Sequence, residues 1–237
     1  MEISIVEASY FLKPGQILDK TAIVVDAMRS AATIITALTN GADRIIPVMS
    51  ANDVLDIKRA SEGNVLSCGE ISAVRIPDFD LGNSPSMYTR EAVQDKVLIF
   101  STTNGSIAIK RCESAAFTII GTFVNATAAA KRALMEGHDI MMVCAGTKGR
   151  FSTDDILACG CLLDRILKIS EGVVLDDFSY VALELYHQHK DDLLGALAHC
   201  KHVRDLIEYG LEADVEYCLR EDVFSNVPIF HESVITV

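Results

Sequence analysis

Three stretches of the chain share one pattern of apolar and polar positions. Each has an apolar, β-branched run, a short polar turn, an amphipathic stretch and, in the first two, a second apolar run. The first is TAIVVDAMRSAATIITALTNGADRIIPV, residues 21–48, where the opening run stops at Asp26 and Gly41 precedes the second. The second, KVLIFSTTNGSIAIKRCESAAFTIIGT, covers residues 96–122 and turns through Ser101–Ser106. The third, residues 139–169, ends a strand at Cys144, passes a Gly-rich loop and opens a helix at about Asp154. Continuous apolar strands alternating with amphipathic helices are βαβ units, which build a largely parallel sheet covered on both faces. In the third helix Ile156, Leu163, Ile166 and Leu167 fall near one face. The likeness of the first two units suggests an internal βα duplication.

Between these units, CGEISAVRIPDFDLGNSPSMY (residues 68–88) is rich in Gly, Pro, Asn and Asp and reads as a long ordered loop. Loops of that length in compact domains are usually functional. From about Asp177 to Asp222 the chain reads as helices packed on the sheet, and VPIFHESVITV as an edge strand. No Ser/Gly-rich linker interrupts the chain, so one α/β domain over residues 1–237 is expected.

Half of the residues are hydrophobic and 23% are charged, which excludes a disordered chain. The net charge of −12 argues against general nucleic-acid binding, which needs basic residues to neutralise phosphate. No apolar run is long enough to cross a membrane, and MEISIVEASY lacks the basic and apolar regions of a signal peptide. Seven scattered cysteines without a CxxC pair read as free thiols of a reducing, cytoplasmic compartment.

Ligands of open parallel sheets bind beyond the carboxyl ends of the strands, so polar residues there carry weight. Asp26 follows Ile23-Val24-Val25 directly. There a carboxylate can hold a metal, attack phosphorus or simply cap the following helix. Arg29 beside Ser30 can fork onto an anion or form an ordinary ion pair. Thr102, Thr103, Asn104, Gly105 and Ser106 supply hydroxyls, an amide and backbone N–H groups at a helix start, which suits an oxyanion, although helix capping uses the same residues. Cys144 to Arg150 has the C-x5-R spacing of cysteine-dependent phosphatases, in which a loop containing Gly146 and Lys148 would cradle phosphate. The alternative is a buried thiol at a strand end. Asp154 and Asp155 suit the first turn of a helix through its dipole, or a Mg²⁺ site together with Asp26 and Glu70. The pairs His187/His189 and His199/His202 read as solvated helix positions, and Cys159/Cys161 as packing.

Taken together, VVDAMRSAATIITALTNGA, DFDLGNSPSMY, STTNGS, CAGTKGRFSTDDILACG and CKHVRDLIEYGLEADVEYCLREDVFSNVP resemble the 2-phosphosulfolactate phosphatase family over residues 21–228. The resemblance implies a three-layer α/β/α fold with a mostly parallel or mixed sheet. It also implies a cytoplasmic homodimer or higher homo-oligomer, and Mg²⁺-dependent hydrolysis of phosphate esters of 2-hydroxy acids in coenzyme M or sulfolactate formation. The partner is then a small anionic phosphate ester, with no nucleic acid and no membrane. On this reading Asp26, Glu70, Asp154 and Asp155 are the metal ligands, and Asp26, Asp155 or Cys144 serves in catalysis. Arg29, Ser30, Arg75, Asn83, Ser84, the 102–106 turn, Gly146, Lys148 and Arg150 receive the substrate. Three nucleophiles remain open: metal-activated water, Asp26 through an aspartyl phosphate, and Cys144. The second route departs from haloacid-dehalogenase-type enzymes, because Met28 stands where their second Asp is usual. A non-catalytic anion sensor is the remaining alternative. One departure stands out: a GERGG-like run is replaced by Gly69-Glu70-Ile71-Ser72-Ala73, with Arg75 as the nearest substitute cation.

Overall fold

The computed structural model describes residues 1–61 and 63–237. Among them the strands are β1 (Glu2–Val6), β2 (Thr21–Val25), β3 (Arg44–Pro47), β4 (Val65–Ile71), β5 (Val74–Arg75), β6 (Val97–Ser101), β7 (Phe117–Ile120), β8 (Ile140–Cys144), β9 (Val174–Leu175), β10 (Ile229–His231) and β11 (Val234–Thr236). The helices are α1 (Ser30–Thr39), α2 (Ala51–Ala60), α3 (Arg90–Val93), α4 (Gly105–Arg111), α5 (Ala126–Met135), α6 (Thr153–Ile169), α7 (Asp177–His189), α8 (Leu193–Ala196), α9 (Lys201–Glu208) and α10 (Glu212–Cys218).

One mixed sheet holds all eleven described strands in the order β5-β4-β6-β3-β11-β10-β7-β2-β8-β1-β9. Parallel pairing defines two blocks. In one, β2 lies between β7 and β8, and β8 beside β1. In the other, β6 lies between β3 and β4. The β10–β11 hairpin joins them by antiparallel pairs, Ile229 opposite Ile119 and Ile235 opposite Ile45. Three antiparallel steps in succession make the two blocks run in opposite directions.

The segment VPIFHESVITV is therefore no edge strand but the central hairpin. Its tip, Glu232-Ser233, has φ of 46° and 65°, the positive values a two-residue primed turn needs, while Phe230 and Ile235 are buried. The two similar units take matching places around it. The unit β2–α1–β3 runs from the second strand on one side of the hairpin to the first strand on the other, and β6–α4–β7 makes the reverse crossing.

Strand residues alternate between two cores, which gives the three layers. Ile23 and Val25 of β2 pack on one face with Ala129 of α5 and Leu157 and Leu162 of α6. Ala22 and Val24 face Ile34 and Leu38 of α1 and Ala108 and Ile109 of α4. Within α6, Ile156, Leu163 and Ile166 are buried as expected, but Leu167 is exposed. The 68–88 segment is not a single loop. β4 runs on to Ile71, turns through Ser72 and Ala73 at φ of 52° and 70°, and returns as β5 before the chain becomes irregular.

Candidate active site

A cleft opens where the carboxyl ends of β2, β4 and β6 meet. β2 and β6 belong to opposed blocks, five strand steps apart. A twist of roughly 20–25° per step turns their ends toward each other. Their contact is direct, since the Ser30 hydroxyl donates to Thr102 Oγ1 at 3.3 Å.

Asp26 lies on this line of contact. Its Oδ1 accepts the Ser30 N–H at 3.2 Å, so it caps the first turn of α1 while lining the cleft. Burial raises its carboxyl to about 6; Ser30 and His202 work against that rise, and Asp154 adds to it. Gly105 permits the arrangement, because a Cβ there would sit 2.5 Å from both Asp26 Oδ2 and Ser30 Oγ. Glu70 enters from β4. Its Oε1 accepts the Thr103 N–H at 2.8 Å, and its Oε2 accepts the Thr103 hydroxyl at 3.1 Å and the Ala73 N–H at 2.5 Å. Gly69 makes this approach possible: it has φ of 135°, and a Cβ would lie 1.8 Å from the Ser101 carbonyl oxygen. Asn83 lines the same cleft, and its Oδ1 is buried without a hydrogen-bond partner among the described residues. Buried amide oxygens are seldom left without a partner.

The predicted four-carboxylate metal set does not assemble. Among the described residues no three His, Cys, Asp or Glu side chains are grouped to hold a metal ion. Asp155 is fully engaged below the cleft: Oδ1 accepts the Ala27 N–H at 2.9 Å and Oδ2 the Gly146 N–H at 2.8 Å. It ties the ends of β2 and β8 together. Burial, then the charges of Asp154 and Asp26, push its carboxyl well above the usual range, against those two amides. Asp154 accepts from the Ser152 hydroxyl and pairs with His202. What the cleft does offer is oxygen: Asp26, whose Oδ2 accepts no hydrogen bond among the described residues, and Glu70, whose oxygens also accept from Thr103 and Ala73. This set fits Mg²⁺, which takes one or two carboxylates and fills its shell with water and substrate phosphate.

Of the predicted anion-binding residues, Arg29, Ser30, Asn83, Thr103, Asn104 and Lys148 line the cleft. Arg29 is buried, and its charge is met by Asp214 at 2.6 Å; Ser84 bridges the pair, and the Ala73 carbonyl takes a further N–H. Thr102 and Ser106 lie beneath the cleft and cap each other's N–H groups, at 3.1 and 2.6 Å. Lys148 reaches the cleft with an ammonium that makes no ion pair or hydrogen bond among the described residues. Arg75 is turned away, donating to the Phe79 carbonyl at 2.5 Å, and is not a cleft cation.

The C-x5-R motif is also split. The Cys144 thiol is buried against Cys159 Sγ at 3.5 Å, outside the cleft, and burial pushes it well above its ordinary value. The Arg150 side chain is exposed, away from both the thiol and the cleft. The loop turns back at once, Thr147 pairing with Arg150, and neither Cys144 nor Arg150 lines the cleft.

The residue that sequence reasoning missed is His202. His199 lies exposed in the turn before α9, whereas His202 is in the first turn of α9 and lines the cleft. Its Nδ1 meets Asp154 Oδ2 at 3.0 Å. Burial works to lower the imidazole, but Asp154 and then Asp26 raise it above its ordinary value. For Asp154 burial works upward, yet His202 and Ser152 bring it below its ordinary value. The missed signal is helical spacing: His202, Asp205, Leu206 and Tyr209 recur at i, i+3, i+4 and i+7, and all four line the cleft.

A family model described as 2-phosphosulpholactate phosphatase matches residues 10–233. Among curated relatives, a Clostridium novyi protein is 35% identical over 237 residues, covering all of both chains. A Clostridium tetani protein is 35% identical over 235 residues, 99% of this chain and 100% of the relative. A Caldanaerobacter subterraneus protein is 35% identical over 218 residues, 92% of this chain and 90% of the relative. All three carry the name "Probable 2-phosphosulfolactate phosphatase".

Proposed function

The chain belongs to the 2-phosphosulfolactate phosphatase family, and on that premise we propose that it is a Mg²⁺-dependent phosphoric monoester hydrolase releasing phosphate from 2-phosphosulfolactate. The observation that carries this reading is the cleft itself, lined by the carboxylates of Asp26 and Glu70 and by Lys148, which makes no ion pair among the described residues. Asp26 and Glu70 outweigh Lys148 there, since Arg29 is neutralised by Asp214, His202 by Asp154 and Asp205 by Lys201. An acidic cleft in an acidic chain repels a phosphorylated, sulfonated carboxylate unless a divalent cation offsets the charge.

Mg²⁺ would be held by Asp26 and Glu70, with Asn83 Oδ1 as a third oxygen. Bound there, it would screen the phosphoryl oxygens and favour attack at phosphorus. The chain's own residues do the rest. Lys148 receives an anionic group at the cleft mouth, and the Thr103–Asn104 turn fixes the ester beside Asp26. The nucleophile is water or Asp26 itself. On this reading Cys144 takes no part. The cytoplasm and a homo-oligomeric state belong to the same proposal; among the described residues no helix is long and apolar enough to cross a membrane.

The test is phosphate release from 2-phosphosulfolactate and 2-phospholactate, with Mg²⁺ and after its removal by EDTA. Release that stops in EDTA and returns with Mg²⁺ is expected. Binding without release in Mg²⁺ would make the protein a sensor instead, and undiminished release in EDTA would remove the metal.

A further inference from the structure

We propose that His202 is the general acid of this reaction, giving the proton that the departing alcohol oxygen takes, with Asp154 as its positioning residue. The inference rests on the phosphatase reading above and adds a role that the metal and the lysine do not fill. A 2-hydroxy acid leaves phosphorus as an alkoxide, a strong base, and an acid at that oxygen lowers the barrier.

The geometry is that of a held imidazole. Asp154 is buried in the first turn of α6 and fixed by the Ser152 hydroxyl; it accepts from His202 Nδ1 at 3.0 Å. That contact commits Nδ1 and orients the ring. The other nitrogen, Nε2, makes no hydrogen bond among the described residues, and the ring lines the cleft with Asp26 and Lys148. The charged groups around it are Asp154 on α6, Asp26 and Arg29 after β2, and Asp205 on its own helix. An acid fixed on one side by a carboxylate and open to the cleft on the other is arranged for transfer rather than for structure alone. Asp205 differs, because both of its oxygens are held by Lys201.

The ester P–O bond breaks and its electron pair stays on the ester oxygen, which takes the Nε2 proton and leaves as the alcohol. One water supplies the hydroxyl that ends on phosphorus. Its remaining proton returns to Nε2 through solvent, so the products are sulfolactate and inorganic phosphate.

The experiment compares wild type, His202→Asn and Asp154→Asn in Mg²⁺ on two esters: 2-phosphosulfolactate and the phosphate ester of 3,3,3-trifluorolactate, whose alkoxide is a far weaker base. Wild-type release from 2-phosphosulfolactate decides the phosphatase reading by itself. The ratio between the esters decides the role of His202. His202→Asn is expected to lose about 10²–10⁴-fold in kcat on 2-phosphosulfolactate and at least about tenfold less on the trifluoro ester. Equal losses on both esters, or a loss under about threefold on 2-phosphosulfolactate, would overturn the proposal. Should His202→Asn fail to fold, Asp154→Asn keeps the imidazole and reads the same relation. Its kcat falls about tenfold with KM unchanged, again more on the poorer leaving group. A change in KM alone would reject the positioning role.

Discussion

The turn after β6 and the loop after β8 look alike in sequence, yet only one is built into the site. Residues 101–106 lie between two approaching strands, with Gly105 against Asp26 and Thr103 against Glu70. Residues 144–150 have one end under α6 and the other in solvent, and only Thr147 and Lys148 reach the cleft. Both are polar and both follow an apolar strand. What separates them is the neighbouring chain that closes on the first, so a place in the cleft is a property of the approach and not of the loop's composition.

Five substitutions test this contrast. Asp26→Asn, on the closed side, should lower kcat/KM for phosphate release by about 10²–10⁴-fold while circular dichroism stays unchanged; activity within threefold of wild type would remove Asp26 from the chemistry. Gly105→Ala places a methyl where two oxygens stand 2.5 Å away, so the turn must shift. A stability loss of about 1–3 kcal/mol in urea unfolding, with reduced kcat, is expected, and an unchanged midpoint would show that the close approach is not tight. On the open side, Lys148→Ala should raise KM about tenfold, about 1.4 kcal/mol of binding, with kcat nearly constant. Arg150→Ala should change neither constant, and a matching rise in its KM would restore the C-x5-R cradle. The smallest effect is expected from Cys144→Ser: turnover within about threefold, with a stability cost of about 1–3 kcal/mol for a hydroxyl placed among apolar neighbours. Lost turnover in a folded Cys144→Ser protein would return the thiol to the mechanism.

The three strand–turn–helix units were legible because apolar runs such as Ile23–Val25 and Met141–Val143 are buried on both faces and leave a continuous signature. Asp26 was placed at a strand end for the same reason, since it directly follows such a run, and Glu70 lies a little past the apolar Val65-Leu66 of β4. Asp154 and Asp155 were placed correctly in a first helical turn but not in the right role. Sequence marks where a carboxylate lies along the chain, and only packing settles whether amides or a cleft meet its oxygens. The hairpin tips at Ser72-Ala73 and Glu232-Ser233 escaped because neither carries the Gly or Asn that usually signals positive φ. His202 escaped because its partner is 48 residues away and its helix is short; only the stripe shared with Asp205, Leu206 and Tyr209 announced it.

The hairpin over residues 229–236 has a consequence for how the protein comes into being. It is synthesised after every strand it joins, yet it stands between the block that carries Asp26 and the block that carries Glu70. On the ribosome the sheet therefore cannot run unbroken from one acid to the other until this segment has emerged. Without residues 229–236 the sheet would fall into two half-sheets, one carrying Asp26 and the other Glu70.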